Sequence, residues 1–338
     1  MPDIHIFRPT RTQYGALIAF CEGLKKGFKA IHLDAELVLY HDDFKRAPIT
    51  IGFNGPSREL EDIKGRKLIG ETHFSLLVDA PWRFPLLLND PDIIMGLVDL
   101  SHLRFSSRFK DKVFFCPHAV DSFHPYNLNK KRKYDIVMPL SYYPLESLKT
   151  VEGYEQWIES FVDEVLQNSE LSYLDYFLTK VTNGMPFEKL LYAIEERLRF
   201  EGQEKVFQAL EGREVHLFGK GTEKIQRKGF IGHGEKTFYE LRSIYEETHT
   251  VINTSPKMRE GGHERIFEAI AAGAKVITDE NLFLKGKLDV PMFHYSHIDS
   301  LKELLETKMP DSREKLFELF SYKKMAENIM KQQDLLRF

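Results

Sequence analysis

Short apolar runs alternate along the chain with longer segments whose apolar residues recur at helical spacing, and this alternation limits the folds open to the sequence. Near-continuous runs of Val, Ile, Leu and Phe suit strands that are covered on both faces, as in parallel sheets. Their alternation with amphipathic segments is typical of α/β architecture. The main predicted strands are IHIF (4–7), ITIGF (49–53), HFSLLVD (73–79), DIIMGLVD (92–99), KVFFCP (112–117), YDIVMPL (134–140), THTVINTSP (248–256) and AKVITD (274–279).

Glycines and charges place the remaining boundaries. The run KAIHL (29–33) is predicted as a further strand, after a helix that ends at Gly27. Residues 151–212 are predicted to be mostly helical and contain no recognisable motif. The last forty residues, from Ser300, are predicted to be helices, including one long amphipathic helix that begins at Phe317.

The length of 338 residues suggests two domains. We predict an N-terminal Rossmann-like domain over 1–125, a linker over 126–133, a C-terminal Rossmann-like domain over 134–315, and a C-terminal helix over 316–338 that crosses back to the first domain. The two domains are expected to face each other across a cleft. The basic run Lys130–Lys133 is interpreted as solvated linker charges.

Composition narrows the functional class. The formal net charge is −4, so a global basic field for non-specific nucleic-acid binding is absent, although a local basic groove stays open. Cys21 and Cys116 match no metal or redox spacing, which fits a reducing cytosol. No apolar signal core and no stretch of about 18 apolar residues is present. We therefore expect a soluble cytoplasmic protein without a transmembrane segment.

The segment NTSPKMREGGHERIFEAIAAGAKVITD (253–279) carries the clearest chemical signal. A predicted strand ends at Asn253, and a polar loop containing Gly261 and Gly262 leads into a helix that begins near His263. The glycines allow the backbone to approach a ligand closely. A helix start offers unpaired amides and a positive dipole end at the strand-end edge, where α/β sheets bind ligands. The segment therefore favours a phosphate-bearing ligand.

Two carboxylates bracket this helix start. Carboxylates facing a diphosphate would repel it, so Glu260 and Glu268 are better interpreted as hydrogen-bond acceptors for neutral hydroxyls, one on a hexose and one on a ribose. Plainer interpretations remain open: Glu260 as a charged loop residue, and Glu268 as an exposed helix acid that pairs with Arg265 three residues earlier.

These residues bring a resemblance. Glu260-x7-Glu268, followed by Ala-x-Ala-x-Gly and a Val-Ile-Thr strand, resembles the donor signature of retaining glycosyltransferases with the type-B, two-Rossmann fold. The full sequence pattern most resembles the CgeB-like (spore-maturation-type) branch of group-1 glycosyltransferases. This pattern is N-x-S-P…G-x-H-E-R-x-F-E-A-x-A-A-G-A-x-V-I-T-D. The match covers residues 215–280 well and is weaker in the N-terminal half. It implies a bacterial or phage enzyme whose N-terminal domain binds the acceptor and whose C-terminal domain binds a nucleotide sugar.

The resemblance also implies residue roles. Glu260 would contact the hydroxyls of the donor sugar and position its anomeric carbon, and Glu268 would hold the ribose. Backbone amides of Gly262 and His263, with the side chain of Arg265, would bind the diphosphate. The Gly219-Lys220-Gly221 loop would border the phosphates, and the Gly232-His233-Gly234 loop would border the base. The donor-binding set is Glu268, Gly262, His263, Arg265, Gly219, Lys220, Gly221, His233 and Ser255.

Glu260, Asp79 and His118 are the catalytic candidates. His118 would face the donor sugar from the N-terminal domain. Asp79 would be the base if the enzyme inverts configuration, or else a turn residue before Pro81. Retention is favoured, because the leaving phosphate then accepts the proton. No metal or cofactor is expected beyond the co-substrate: Asp90-Pro91-Asp92 has the spacing of a metal motif but precedes an apolar run rather than following a strand.

Three alternatives stay open on the sequence. One is a sugar-nucleotide epimerase or phosphorylase of the same fold, and another is a non-catalytic nucleotide-sugar-binding protein. The third is glycosylation of nucleic-acid bases, which the balanced charge disfavours but does not exclude. The acceptor, whether a carbohydrate, a protein or another hydroxyl compound, has no sequence signal, and neither have the donor base and sugar.

Overall fold

The computed structural model describes residues 2–9, 15–39, 47–55 and 70–335. The chain divides into two compact units, the first formed by Met1–Pro125 with Glu314–Phe338 and the second by Tyr126–Arg313. Each unit contains one parallel six-stranded sheet flanked by helices. Among the described residues, no helix combines the length and the apolar character needed to span a bilayer.

The strands of the described residues are β1 Ile4–Phe7, β2 Ala35–Val38, β3 Ile49–Phe53, β4 Thr72–Leu77, β5 Ile93–Leu97, β6 Val113–Phe115, β7 Tyr134–Pro139, β8 Val215–Phe218, β9 Phe230–Gly232, β10 Thr248–Asn253, β11 Lys275–Asp279 and β12 Met292–Phe293. Their α-helices are α1 Ala16–Ala30, α2 Pro85–Asn89, α3 Leu100–Ser106, α4 Glu155–Gln167, α5 Tyr173–Lys180, α6 Phe187–Ala209, α7 Phe238–Glu246, α8 Glu264–Ala271, α9 Ser300–Glu306, α10 Arg313–Phe320 and α11 Tyr322–Leu335.

The first sheet has the order β2-β1-β3-β4-β5-β6, and all its strands are parallel. Every residue of β1, β3 and β5 is buried. The continuous apolar runs in the sequence predict this burial, because strands of a parallel sheet are covered on both faces. The strand order reverses direction between β1 and β3, which is the switch point of a flavodoxin-like sheet.

The second sheet has the order β12-β11-β10-β7-β8-β9, again fully parallel. Counted within its own unit, this is the order 6-5-4-1-2-3, which is that of the dinucleotide-binding Rossmann fold. Its switch point lies between β7 and β10, and ligands bind such sheets at the carboxyl ends of the strands beside that point. The predicted fold class, α/β with two Rossmann-like domains, is confirmed.

Helix α1 shows one wrong prediction. The helix does not end at Gly27 but continues to Ala30, and the strand predicted over 29–33 forms later, as β2. The glycine is needed because α11 packs closely against α1. A Cβ atom on Gly27 would lie 2.2 Å from the carbonyl oxygen of Tyr322, and one on Gly23 would lie 2.2 Å from the Cε2 atom of the same tyrosine.

The predicted single C-terminal helix is divided at Ser321. This residue forms a parallel bridge with Val120, whose amide donates to Phe320 O at 2.8 Å. Further along, Asn328 Nδ2 donates to Phe115 O at 2.9 Å. The C-terminal helix α11 therefore packs on the first unit, as predicted, but an exchange of backbone hydrogen bonds with Val120 breaks the helix before it.

The interpretation of the basic run Lys130–Lys133 as solvated linker charges holds for exposed Lys131 and Lys133 but was wrong for half-buried Lys130 and Arg132. Lys130 Nζ lies 2.8 Å from the Glu247 carboxylate at the end of α7. The Arg132 guanidinium donates to Thr248 O at 2.8 Å and to Gly273 O at 2.9 Å. Carbonyls at helix C-termini are negative dipole ends, so these cations stabilise the ends of α7 and α8.

Candidate functional site

Three loops follow the carboxyl ends of β7, β8 and β9 and are joined by backbone hydrogen bonds. The Tyr142 amide donates to Lys220 O at 2.8 Å, and the Gly219 amide donates to Gly234 O at 2.8 Å. Thr222 Oγ1 accepts from the Gly234 amide at 3.0 Å and donates to Gly219 O at 2.8 Å. These loops therefore form one layer over the edge of the second sheet.

The glycines of the GKG loop are required by this layer. Gly219 has φ 143° and Gly221 has φ 83°, in the region that favours glycine. A Cβ atom would lie 1.9 Å from Leu140 O at the first position and 2.3 Å from Tyr142 O at the second. The side chain of Lys220, between them, is exposed. The loop thus presents one cation at the strand-end edge while its backbone stays packed.

Residues 254–262, which we call the Glu260 loop, follow β10 and are held by groups that follow β11. The Ser255 amide donates to both Asp279 oxygens, at 3.0 and 3.1 Å. Asn281 Nδ2 donates to Met258 O at 2.9 Å and to Gly261 O at 2.7 Å. Half-buried Glu260 lies between these fixed points.

Asp279 is the centre of a buried polar set. It is 3% exposed, and it accepts from Tyr295 Oη at 3.0 Å; Tyr295 Oη also lies 2.6 Å from Thr254 Oγ1. Burial raises the pKa of the Asp279 carboxyl, against the hydrogen bond from the Ser255 amide and the charge of Arg259. The hydrogen bonds of this polar set fix the first residues of the Glu260 loop, Thr254 and Ser255.

Helix α8 begins at the switch point. His263 is its N-cap residue, with extended backbone angles (φ −71°, ψ 138°), and the His263 side chain makes no capping hydrogen bond. Arg265 Nη1 donates to the carbonyl of Pro139, the last residue of β7, and Arg265 Nη2 lies 2.9 Å from His263 Nε2. The dipole of α8 and a held guanidinium therefore combine at the crevice between β7 and β10.

Gly262 is required by packing in addition to the close ligand approach that the sequence predicts. Its backbone does not adopt a positive φ, and a Cβ atom there would lie 2.3 Å from Cζ of Phe267. Phe267 is fully buried in α8. The glycine is therefore explained by the phenylalanine ring beneath the turn, whatever its amide binds.

Glu268 is buried and binds Arg242, so the interpretation of Glu268 as an exposed helix acid was wrong. It is 2% exposed, Arg242 binds it in a bidentate manner at 2.7 and 2.9 Å, and Tyr126 Oη donates to Oε2 at 2.9 Å. A carboxylate has about four acceptor sites. These bonds occupy three of them, and the ribose contact of Glu268 stays a prediction.

His233, predicted to border the base, stacks on Phe218 with centroids 4.4 Å apart and an interplanar angle of 9°. Its Nε2 lies 2.8 Å from Nδ1 of His216. Burial lowers the pKa of His233, and the neighbouring His216 lowers it further. The lowered pKa favours the neutral ring, and the contact of His233 with the base stays a prediction.

The catalytic candidates of the first unit differ in exposure. Asp79 is exposed two residues after β4, and its Oδ2 accepts from Asn54 Nδ2 at 2.8 Å. His118 is 5% exposed, and its ring centroid lies 5.6 Å from that of Phe20. Asp79 thus has access to solvent, whereas His118 is packed beside an aromatic ring. Their catalytic roles stay predictions.

Within the described ranges, no three His, Cys, Asp or Glu side chains come together as a metal site. In Asp90-Pro91-Asp92, Asp90 Oδ1 accepts from the Asp92 amide at 3.0 Å, so the first carboxylate shapes its own turn. Metal independence stays a prediction.

Several residues of this edge were missed from the sequence: Tyr126, Arg242, Arg259, Asp279 and Tyr295. Arg259 and Asp279 lie inside the motif, the first directly before Glu260 and the second as the last residue of Val-Ile-Thr-Asp. The others come from distant segments without any local signature.

Comparison with known proteins supports the fold. No protein-family model matches the chain, and no curated protein matches it. The structure is similar to that of AviGT4, a glycosyltransferase involved in avilamycin A biosynthesis, with TM-score 0.56 and 13% identity over 98% of this chain and 97% of that one. Sucrose-phosphate synthase from Thermosynechococcus elongatus gives TM-score 0.52 and 9% identity over 99% of both chains. T4 phage BGT, solved with its UDP-glucose substrate, gives 0.51 and 10% over 99% of this chain and 98% of that one. The chain has the type-B glycosyltransferase fold.

Proposed function

We propose that the protein is a glycosyltransferase that moves a sugar from a nucleotide-sugar donor to an acceptor hydroxyl, and that it belongs to the CgeB-like branch. The observation that carries the proposal is the start of α8 at the β7/β10 switch point, with no capping bond from His263 and with Glu260 in the loop before it. T4 phage BGT binds UDP-glucose on a similar fold, which supports the same ligand class here.

In this proposal the diphosphate binds at the helix start. The backbone amides at the start of α8 point along the helix axis toward the anion, and the positive end of the helix dipole favours its charge. Arg265 is held by Pro139 O and retains further N–H donors, since a guanidinium has five. Exposed Lys220 supplies a second positive charge from the neighbouring loop. Stabilising the charge of the departing diphosphate is then the main source of catalysis.

Glu260 would accept hydrogen bonds from hydroxyls of the donor sugar and so orient its anomeric carbon. The bond between that carbon and the phosphate oxygen breaks, and a bond to the acceptor oxygen forms on the same face. The acceptor proton passes to the leaving phosphate, so the step needs neither metal nor a protein base. The first unit would bind the acceptor, whose identity we leave open. The two cysteines are free thiols, which fits a cytoplasmic enzyme.

A donor screen tests the proposal. Thermal unfolding is measured with UDP, GDP and ADP and with their glucose conjugates. A bound donor at 100 times its Kd stabilises by about 2.7 kcal/mol. Release of nucleoside diphosphate without added acceptor measures transfer of the sugar to water. Conversion of the donor sugar in the absence of an acceptor would identify an epimerase. Turnover that occurs only with inorganic phosphate would identify a phosphorylase. Stabilisation by none of these compounds would contradict the assignment.

Glu260→Gln is predicted to lower kcat about 100-fold, equivalent to about 2.7 kcal/mol of lost transition-state stabilisation, while the affinity for the nucleoside diphosphate stays unchanged. The amide keeps the size of the side chain but weakens acceptance from the sugar hydroxyls. Diphosphate release and calorimetry measure the two quantities. Glu223→Gln, an exposed acid on the same edge, is the matched control. Near-normal kcat in Glu260→Gln would remove the sugar-positioning role.

A further inference from the structure

We infer that the helical insert (residues 151–212) holds the Glu260 loop in place through Arg259, which makes Arg259 a positioning residue that acts through Glu260. The inference rests on the proposed function. It assigns a role to a segment in which the sequence shows no motif.

The Arg259 side chain is buried and points into the insert. It is 4% exposed, its Nη2 donates to Val165 O at 2.9 Å, and its Nη1 donates to Leu171 O at 3.0 Å and to Asn168 O. These carbonyls belong to the last turn of α4 and to the connection that leads into α5. A cation is favoured at a helix C-terminus, and bonds from a charged donor are stronger than neutral ones.

The Arg259 backbone is held from the opposite side. Its carbonyl accepts from the Leu282 amide at 2.7 Å, while Asn281 Nδ2 binds the carbonyls of Met258 and Gly261. The residue before Glu260 is therefore fixed by its side chain to the insert and by its backbone to the segment after β11. The residue after Glu260 is fixed as well, so the loop position of Glu260 follows from these bonds.

Helix α6 of the insert contacts the same edge independently. A Cβ atom on Gly202 would lie 3.1 Å from Tyr295 Oη and 3.2 Å from Pro256 Cγ, so the helix passes directly behind the Glu260 loop. One residue later, Gln203 Nε2 donates to Ser141 O at 3.2 Å in the loop after β7. The insert thus supports the loops on both sides of the switch point.

Positioning residues affect turnover more than binding. A shift of about 1 Å in a group that orients the reacting centre lowers turnover by as much as 100-fold. The diphosphate contacts lie on α8 and on the GKG loop rather than on the insert. Arg259→Lys, which keeps the charge but loses the fork geometry, is therefore expected to lower kcat by roughly 10-fold, and Arg259→Met by up to about 100-fold, with KM for the donor nearly constant.

A double-mutant cycle separates this role from a purely structural one. If Arg259 acts through Glu260, the Arg259→Lys/Glu260→Gln double variant is expected to turn over within about twofold of Glu260→Gln alone. Arg132→Met is the matched control, since Arg132 also binds backbone carbonyls of this unit; it is expected to lose stability but to keep kcat. Hydrogen exchange of the 255–262 amides should accelerate in Arg259→Lys and not in Arg132→Met.

The outcomes are decisive in either direction. Three results would each overturn the inference. The losses of kcat could multiply in the double variant, Arg259→Lys could keep the wild-type kcat, or Arg132→Met could lose as much kcat as Arg259→Lys. If Arg259→Met does not fold, Arg259→Lys and its exchange pattern still decide. Failure of the proposed function itself looks different, because the wild-type protein would then release no nucleoside diphosphate from any donor.

Discussion

Two buried hydrogen-bonded groups, one in each unit, serve different purposes. In the first unit, Thr50 of β3 is 2.9 Å from Nδ1 of His73 in β4, so this pair joins adjacent strands, and Thr50 Oγ1 also accepts from the Gly70 amide at 2.8 Å. In the second unit, Asp279 and Asn281, at and after the end of β11, hold the loop that follows β10.

This difference separates two uses of a buried hydrogen bond. A buried polar group costs free energy unless it is paired, so each such pair fixes the geometry around it. The Thr50–His73 pair lies between neighbouring strands and favours one register of the first sheet. The pairs of the second unit fix loops instead, and so shape the edge at which the donor is proposed to bind. Disrupting one pair in each unit tests this contrast.

The largest effect is expected from Arg242→Met, which removes the bidentate cationic partner of the buried Glu268 carboxylate. Breaking a buried ion pair by removing one partner costs about 3–5 kcal/mol. Urea unfolding of the second unit can be followed through Trp157 in a Trp82→Phe background. Arg197→Met, which removes a half-buried pair with Glu201, is the control and should cost below about 1 kcal/mol.

If Arg242→Met lowers the free energy of unfolding as little as the control does, the stability of the second unit does not depend on the Arg242–Glu268 pair. Arg242→Met/Glu268→Leu should recover much of the lost stability, because the second change removes the unpaired buried charge. No recovery would indicate that packing of the arginine stem, rather than charge pairing, carries the effect.

The second-largest effect is expected in the pH dependence of the first unit's stability. Burial lowers the pKa of His73 from 6.5 to about 4, so between these values the unfolded chain binds a proton that the folded unit excludes. Stability is therefore full above pH 6.5 and falls as the pH decreases toward 4, by about 3 kcal/mol in all at 1.36 kcal/mol per pKa unit. Urea unfolding monitored by Trp82 in a Trp157→Phe background measures it.

His73→Gln is the matched variant, since it removes the titration and keeps a side chain that can bond to Thr50. The difference in unfolding free energy between the parent and this variant should shrink as the pH falls from 6.5 to 4. Taking this difference cancels His5, whose pKa burial also lowers. A difference that stays constant over the range would contradict the assignment.

The sequence predicts those parts of the molecule whose cause is local. Continuous apolar runs predict nearly every strand, because both faces of a parallel strand are covered by its own domain. The motif over 253–279 predicts a strand, a loop and a helix in the right places. Gly27 shows where local reasoning fails: the glycine looks like a helix end, but it exists because Tyr322, almost three hundred residues later, packs on it.

The same limit applies to the candidate site. Glu268 could be marked as important from its spacing to Glu260, yet its partners lie far along the chain, Arg242 by 26 residues and Tyr126 by 142. Arg259 directly precedes a predicted catalytic residue, but nothing local indicates that its side chain binds the insert. Side chains that act across elements are defined by tertiary packing, which a single sequence does not display.

The smallest effect is expected from Asp79→Asn, and it tests the contrast between the units most directly. If the leaving phosphate accepts the acceptor proton, the first unit needs no base, and kcat should fall by less than about tenfold, below the 100–10,000-fold typical of general-base loss. The substitution is isosteric, and its Oδ1 still accepts from Asn54 Nδ2, so the turn is preserved. Diphosphate release measures kcat, and NMR of the product's anomeric proton reports configuration. An inverting displacement requires a base opposite the leaving phosphate. A loss of kcat above about 1,000-fold, together with inversion of configuration in the product, would therefore place the catalytic base in the first unit and leave the second unit as a donor-binding domain.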